Sequence, residues 1–424
     1  MASPLSLARQ TPGQRLLQRV ESGRDGTRVF VAGEGGPSEA DGDFVVVSHD
    51  PSSGSRQWVA RYSSPGRASD VPHALAVSPD GTRLYVTGAS EYPHSVGSSY
   101  TTVAIDTATG SKLWVARFKG AFSDQDVANS VTVSPDSTRV YVTGQIGPPF
   151  QQDYATIAYD ANTGARVWTA RFGSPQVNDV ARSIVSSPDG DRVFVTGFSG
   201  NEPQPGDYVT VAYDAMNGAR EWVVRRTDDG VACCIAVSPD GTTIYVTGAS
   251  ILRHDATIAY AASSGAKLWE IRYRGGKRSE ANSLVVSPDG TRLFITGSTG
   301  GLDVEDYSTV AYDASTGTQQ WAARYNGPGD GQDRAFSIGV SPDGERVYVT
   351  GSSEGLANPD YATLAYDAST GGELWIARFD GRGQSCDEAF ALSISPGGER
   401  VYVTGESRKC YRLDAAFLTL AYTG

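Results

Sequence analysis

Hydrophobic and polar residues alternate along this chain in short runs, and the runs recur in sets of four. Residues 130–172 show one set: Ser130-Val-Thr-Val133, Arg139-Val-Tyr-Val-Thr143, Asp153-Tyr-Ala-Thr-Ile-Ala-Tyr159 and Val167-Trp-Thr-Ala-Arg-Phe172. They are rich in Val, Ile, Thr, Tyr and Trp and are bounded by Gly, Pro and Asp, which predicts β-strands; we call them a, b, c and d in chain order. Between a and b a tetrapeptide returns as Ser78-Pro-Asp-Gly81, Ser134-Pro-Asp-Ser137, Ser187-Pro-Asp-Gly190, Ser238-Pro-Asp-Gly241, Ser287-Pro-Asp-Gly290, Ser341-Pro-Asp-Gly344 and Ser395-Pro-Gly-Gly398, with a weaker copy at Gly23-Arg-Asp-Gly26. Proline presets φ, Asp bonds its own backbone and Gly takes the left-handed conformation, so each copy is a tight turn. Asp160-Ala-Asn-Thr-Gly164 has the same character between c and d. The period is about 53 residues, and about eight such units fill the chain.

Repeated four-stranded units in this number predict an all-β fold, an eight-bladed β-propeller of antiparallel blades making one domain over residues 1–424. The blades fall at about 14–62, 70–118, 126–172, 179–226, 231–273, 280–325, 333–379 and 387–424. The last unit stops after strand c. Leu5-Ser-Leu-Ala-Arg9 matches Leu374-Trp-Ile-Ala-Arg378, so an N-terminal strand at 4–10 is expected to complete the last blade and remove two open edges. A helix over Gln14–Glu21 is the competing expectation for part of that region. The a–b and c–d turns are uniform, whereas the b–c and d–a loops vary; in an up-and-down sheet all the variable loops lie on one face of the ring.

Composition changes this picture little. A net charge of −12 argues against a general nucleic-acid binder, since phosphate backbones reward a basic face. No run approaches the roughly 18 apolar residues of a membrane helix. Met1-Ala-Ser-Pro carries no basic and apolar leader. A monomer is expected.

All seven tryptophans, Trp58, Trp114, Trp168, Trp222, Trp269, Trp321 and Trp375, fall at one position of strand d, and Ser6 takes the eighth. Indoles at one site per repeat are expected to fill the gaps between neighbouring sheets. The arginines three residues on, including Arg171, Arg324 and Arg378, are expected to pair with the repeated Asp residues of strand c (Asp153, Asp207, Asp306, Asp360). The segment Ala158-Tyr-Asp-Ala-Asn-Thr-Gly-Ala-Arg-Val-Trp168 resembles the tryptophan-docking motif of the PQQ-like, quinoprotein-type propeller repeat, as does Ala365-Tyr-Asp-Ala-Ser-Thr-Gly-Gly-Glu-Leu-Trp375. The Ser-Pro-Asp-Gly…Tyr-Val-Thr-Gly half is similar to the YVTN-type repeat. The resemblance implies architecture more than activity, because the family holds both quinone-dependent dehydrogenases and non-enzymatic scaffolds, among them an outer-membrane assembly lipoprotein.

Functional residues are expected where the repeat breaks on the variable face. One position of strand a reads His73, Asn129, Arg182, Cys233, Asn282, Phe336 and Phe390. Strand a is innermost in the resembled family, which places these side chains at the mouth of a central funnel, a ring suited to a small or extended ligand; a water-facing position that tolerates anything would read the same. Blade 5 departs most, with short loops flanked by Arg226, Arg253, His254, Arg274, Lys277 and Arg278. These make either an anion-binding notch or ordinary solvated charge.

The four cysteines suggest two pairs. Cys233-Cys234 matches in kind the adjacent-cysteine disulfide that stacks on the cofactor in PQQ-dependent alcohol dehydrogenases, although two thiols also fit the frame. Cys386 and Cys410 can close a loop on the variable face, consistent with an oxidising compartment, or stay free. The family's enzymes also need calcium held by Glu, Asn and Asp, and no local motif supplies that set here. The four His residues have no metal-ligand spacing, and no Gly-x-Ser-x-Gly elbow or phosphate loop is present. The favoured reading is a secreted or cell-envelope binding propeller that takes a small-molecule, glycan or protein ligand on its variable face and funnel. A PQQ- and calcium-dependent oxidoreductase is second, and a lyase or hydrolase third.

Overall fold

The computed structural model describes residues 5–9, 19–36, 42–66, 69–92, 97–120, 125–174, 176–200, 206–227, 230–250, 255–276, 278–301, 304–355, 358–381, 385–410 and 415–424. Within them the chain forms eight antiparallel four-stranded sheets and no helix. Seven sheets follow chain order a-b-c-d. The eighth takes its outermost strand, Leu5–Arg9, from the N-terminus; it pairs with Ala415–Thr423, which is followed inward by Arg400–Lys409 and Ser385–Ile394. Each innermost strand lies against the innermost strand of the next blade, and the last, Ser385–Ile394, lies against the first, Arg19–Ser22, so the ring closes. The competing helix over 14–21 is met by strand at Arg19–Ser22; residues 10–18 lie outside the described set.

Turn chemistry explains the uniform face. In the a–b turn of blade 2 the Gly81 N–H donates to the Ser78 carbonyl at 2.8 Å, and Asp80 accepts from the Thr82 N–H. In the c–d turn of blade 3 Asp160 accepts from the N–H groups of Asn162 and Thr163. Gly164 there has φ +71, and a Cβ on it would come within 2.6 Å of the Trp114 ring. That close approach seats the indole of one blade on the turn of the next, and Trp114 Nε1 donates to the Ala161 carbonyl at 3.0 Å. Five further indoles repeat the bond: Trp58 to Thr107, Trp168 to Ala215, Trp222 to Ala262, Trp269 to Ala314 and Trp321 to Ala368. Trp375 packs between Tyr348 and Tyr422.

The core is a set of eight seams rather than one centre. Between blades 2 and 3, Tyr85, Tyr100 and Trp114 meet Val131, Val140, Val142, Ile157 and Tyr159. Burying each such side chain contributes about 1.5–3 kcal/mol. A second aromatic, on strand c, crosses most seams: the hydroxyl of Tyr100 donates to the Ala155 carbonyl, Tyr154 to Val209, Tyr307 to Ala362 and Tyr361 to Leu418. Arg225, Arg324 and Arg378 pair with Asp207, Asp306 and Asp360. The Asp at the start of strand a ties down the variable loops, as where Asp126 accepts from the N–H groups of Gly120 and Gly147.

One irregularity recurs where it matters. Strand a of every blade from 2 to 8 shifts register by one residue against strand b, between Pro72 and Ala74, Ala128 and Ser130, Ala181 and Ser183, Ala232 and Cys234, Ala281 and Ser283, Ala335 and Ser337, and Ala389 and Ala391. The residue left unpaired in each bulge is the one that varies along the chain. The repeated Gly of strand b follows from this: a Cβ at Gly144 would collide with the Val127 carbonyl beside the bulge. A β-bulge re-aims its extra side chain.

Candidate functional site

The seven bulge residues are His73, Asn129, Arg182, Cys233, Asn282, Phe336 and Phe390, and they link blade to blade around the funnel. His73 Nδ1 lies 3.4 Å from Asn129 Oδ1, and the Asn129 amide donates to the Ala181 carbonyl at 2.8 Å. Asn282 donates in the same way to Ala335 at 2.9 Å. The rings of Phe336 and Phe390 meet at 5.9 Å between centroids. Arg182 is exposed, its guanidinium lying over the Phe198 ring at 5.4 Å; the other six are half-buried. Polar and basic side chains thus occupy one arc of the ring and an aromatic pair the other.

Below the ring, the residues one and three positions past the bulge pack toward the next blade, as Ser337 and Gly339 do against Leu392 of blade 8. They are Ala74 and Ala76, Ser130 and Thr132, Ser183 and Val185, Cys234 and Ala236, Ser283 and Val285, Ser337 and Gly339, and Ala391 and Ser393. Small side chains are required where eight innermost strands converge. Blade 1 breaks this rule with Arg19 and Glu21, placed by their pairing with Ala32 and Phe30. Both are half-buried. Burial lowers the pKa of Arg19. Crowding by the converging strands pushes the Glu21 carboxyl up to about 7, against a smaller opposing pull from Arg24. Burial also holds His73 below the usual histidine range; its Asn129 bond opposes this and the Arg19 charge adds to it. Neither Arg19 nor Glu21 figured in the reading of the sequence; comparison with the small residues at the same position of the other seven blades would have found both.

The seam between blades 5 and 6 collects a second group of departures. Where strand c elsewhere places Phe44, Tyr100, Tyr154, Tyr208, Tyr307, Tyr361 or Phe417, blade 5 has Asp255, one residue before Ala256, the partner of Gly248, and so in line with the buried aromatics. Asp255 is 7% exposed, and its Oδ1 has no hydrogen-bond partner. Burial pushes its carboxyl up to about 8, with the Glu280 charge adding to the rise and an Ala281 backbone bond opposing it. A perturbed buried acid at a break in a repeat is a functional-site candidate. Gly230 stands where blades 2, 3, 4, 7 and 8 have Asp70, Asp126, Asp179, Asp333 and Asp387. On the same seam the structure joins Cys233 to Cys234, with their sulfurs 3.3 and 3.1 Å from the carbonyl oxygens of Ala281 and Asn282.

The rim adds one unexpected side chain. The b–c loop of blade 3 runs Gly147-Pro-Pro-Phe-Gln151 and closes with the Gln151 N–H on the Pro148 carbonyl. Phe150 occupies the turn position that calls for Gly or Asn, with φ +68, and is 68% exposed. The basic set around blade 5 is less concentrated than its sequence neighbourhood suggests. Arg226 lies on an outer strand, paired with Glu270 at 3.0 Å, and Arg278 pairs with Glu280. Arg274 is exposed, and Arg253, His254 and Lys277 lie outside the described residues. Cys386 and Cys410 are bridged with Cα atoms 5.0 Å apart.

A quinone and calcium centre does not fit these residues. The ring offers no carboxylate to hold calcium, and the strand-a aspartates Asp126 and Asp333 already accept backbone N–H groups. Asp360, Asp380 and Asp387 converge, but Arg378 and the Gly381 N–H already meet them. On the opposite face a cleft of about 520 Å³ opens between blades 1 and 2. It lies where Arg24 replaces the turn proline; elsewhere that proline packs on the next blade's glycine, as Pro135 does on Gly190. Its carboxylates Asp25, Asp80 and Asp106 are engaged by their own turns.

Structural comparison agrees with this architecture. The Chaetomium thermophilum Sqt1 bound to the N-terminus of the ribosomal protein L10 is similar over 100% of both chains, at 14% identity and a TM-score of 0.66. Quinohemoprotein alcohol dehydrogenase from Comamonas testosteroni covers 96% of this chain and 75% of its own, at 14% identity and 0.58. Periplasmic gluconolactonase PpgL of Pseudomonas aeruginosa covers 83% and 97%, at 18% and 0.50. At these identities the likeness shows the fold alone. No curated protein matches the sequence. One family profile matches in four overlapping windows, residues 42–202, 101–297, 205–363 and 306–422. By that match the chain belongs to the PQQ-like repeat family described as outer membrane protein assembly factor BamB.

Proposed function

We propose that this protein is a non-enzymatic binding propeller of the cell envelope or the secreted space, engaging a protein or peptide with its variable rim and central funnel. Phe150 carries the reading. An exposed phenylalanine held at positive φ costs about 1 kcal/mol or more that no packing offsets, and such strain persists where a side chain must be presented. Exposed aromatics of this kind are the usual anchors of protein interfaces. The ring of non-repeating bulge residues supports the same reading, since architecture alone gives no reason for them to differ. The Cys386–Cys410 bridge suits an oxidising compartment. The BamB description of the family and the partner-bound Sqt1 neighbour are in keeping with a scaffold.

Panning a displayed peptide library on the whole protein tests this. Phe150→Gly should raise unfolding stability by about 1 kcal/mol, because glycine is at ease at that φ. The same change should weaken the selected peptides by about tenfold or more. Gain of stability with loss of binding marks a side chain kept for a partner. Selected peptides that bind Phe150→Gly as well as wild type would contradict the rim reading. Adding PQQ and calcium should give no new absorbance and no alcohol-dependent dye reduction; turnover would revive the oxidoreductase.

A further inference from the structure

The cleft between blades 1 and 2, on the uniform face, opens where two fillers are missing at once. In blades 2 and 3 the hydroxyls of Tyr85 and Tyr141 donate to the c–d carbonyls of the next blade, those of Ala161 and Ala215. Blade 1 has Phe30 at that position, with no hydroxyl. Blades 4 and 6 also have phenylalanine there, but keep Pro188 and Pro288 in the adjoining turn, each packed on the next blade's glycine. Blade 1 alone lacks both the hydroxyl and the proline, and the space of about 520 Å³ lies there.

Arg24 decides what that space offers. Its stem stands on Gly81 as the prolines stand on their glycines; a Cβ on Gly81 would lie 3.3 Å from the Arg24 Cβ. Arg24 is exposed, lines the cleft and, among the described residues, makes no hydrogen bond or salt bridge. Asp80 and Asp106 line the same cleft and take their turn bonds on Oδ1, which leaves Oδ2 of each as an acceptor. Bonds from Thr109 hold Asp106 below the usual carboxylate range, while for Asp80 partial burial is outweighed by bonds from Ser78 and Thr82. Charged acceptors therefore stand beside a free charged donor at neutral pH. With Arg28 and Asp25 the lining sets two guanidinium groups against three carboxylates, which disfavours an anion, and Arg24 repels an ammonium group.

We propose that this cleft binds a neutral sugar of one or two hexose units. A sugar hydroxyl is donor and acceptor at once, so neighbouring hydroxyls accept from Arg24 and donate to Asp80 and Asp106 in charge-assisted bonds. The volume falls within the usual range of small-molecule sites, about 300–1,000 Å³. This chemistry has two sources, a free sugar or the end of a glycan. The site lies on the face opposite the rim and is independent of the peptide reading given above.

Saturation-transfer difference spectroscopy on the whole protein, followed by titration, tests this with glucose, galactose, mannose, cellobiose, lactose, glucuronate and glucosamine. At least one neutral sugar should bind, and glucuronate and glucosamine should bind about threefold more weakly than it or worse. A disaccharide that binds more tightly than the monosaccharides identifies a glycan end as the source; equal affinity identifies a free sugar. Arg24→Pro restores the turn residue of blades 2 to 8, so it should fold as wild type, fill the cleft and weaken the sugar about tenfold or more. Arg24→Gln, which loses the charge without touching the backbone, should weaken it about threefold or more. Phe150→Gly should leave the sugar bound, and Arg24→Pro should leave rim peptides bound. No binding by any neutral sugar, tighter binding of glucuronate or glucosamine, unchanged affinity in the two Arg24 variants, or loss of the sugar in Phe150→Gly would overturn the proposal.

Discussion

Replacing Trp168 with alanine should destabilise the protein by about 3–5 kcal/mol, the usual cost of removing a buried indole. Trp168 is 8% exposed, packs against Tyr141 and Tyr213, and donates to the Ala215 carbonyl of the next blade. Truncation leaves a cavity at a seam and removes one of the two donors to that carbonyl, the Tyr141 hydroxyl being the other, and the facing Gly218 has no side chain with which to fill the space. The neighbouring Val167 is 41% exposed at the bulge of the same strand, so Val167→Ala should change stability by less than about 0.5 kcal/mol. Urea unfolding of the two variants checks the contrast. Similar effects at both positions would mean that the indoles do not carry the seams.

Asp255 gives the second large effect, and it depends on pH. Its carboxyl titrates at about 8 in the fold and near 3.8 when unfolded. A folded pKa above the unfolded one means that the stability associated with the protonated group is fully present below about pH 4. It drains away as the pH rises toward 8, because only the unfolded chain can then ionise freely. At one unit per 1.36 kcal/mol the span is worth on the order of 5 kcal/mol. Asp255→Asn cannot ionise, so it should match wild type near pH 4 and exceed it by several kcal/mol at pH 8. Asp255→Tyr restores the residue used by five other blades and should follow the same trend. A gain that is constant with pH, or absent at pH 8, would show that Asp255 is ionised in the fold.

Most of the architecture was legible because turn chemistry and strand patterning point the same way in every unit. The Ser-Pro-Asp-Gly turns, the indole position and the orphan strand Leu5–Arg9 each have a local cause visible in the residues. The funnel ring was legible as a position that varies, but its cause was not: a bulge is a register shift between two strands, and only the repeated Gly of strand b hints at it. Arg19 and Glu21 were hidden because the first strand of blade 1 lacks the motif that aligns the others. Asp255 was masked by the periodic aspartates of strand c, from which it is displaced by one residue into the aromatic position. The basic set of blade 5 was legible only as composition. Two short loops suggested a notch there; Arg226, on an outer strand, pairs with Glu270, while Arg253, His254 and Lys277 lie outside the described residues.

Hydrogen exchange with a selected peptide at saturation tests most directly whether partners are received at the irregular face. Binding should slow exchange in residues 125–152 and in the innermost strands around the bulges, and leave the Ser-Pro-Asp-Gly turns unchanged. Protection confined to those turns, or to the Arg24 cleft between blades 1 and 2, would put the binding surface on the other face and contradict the account.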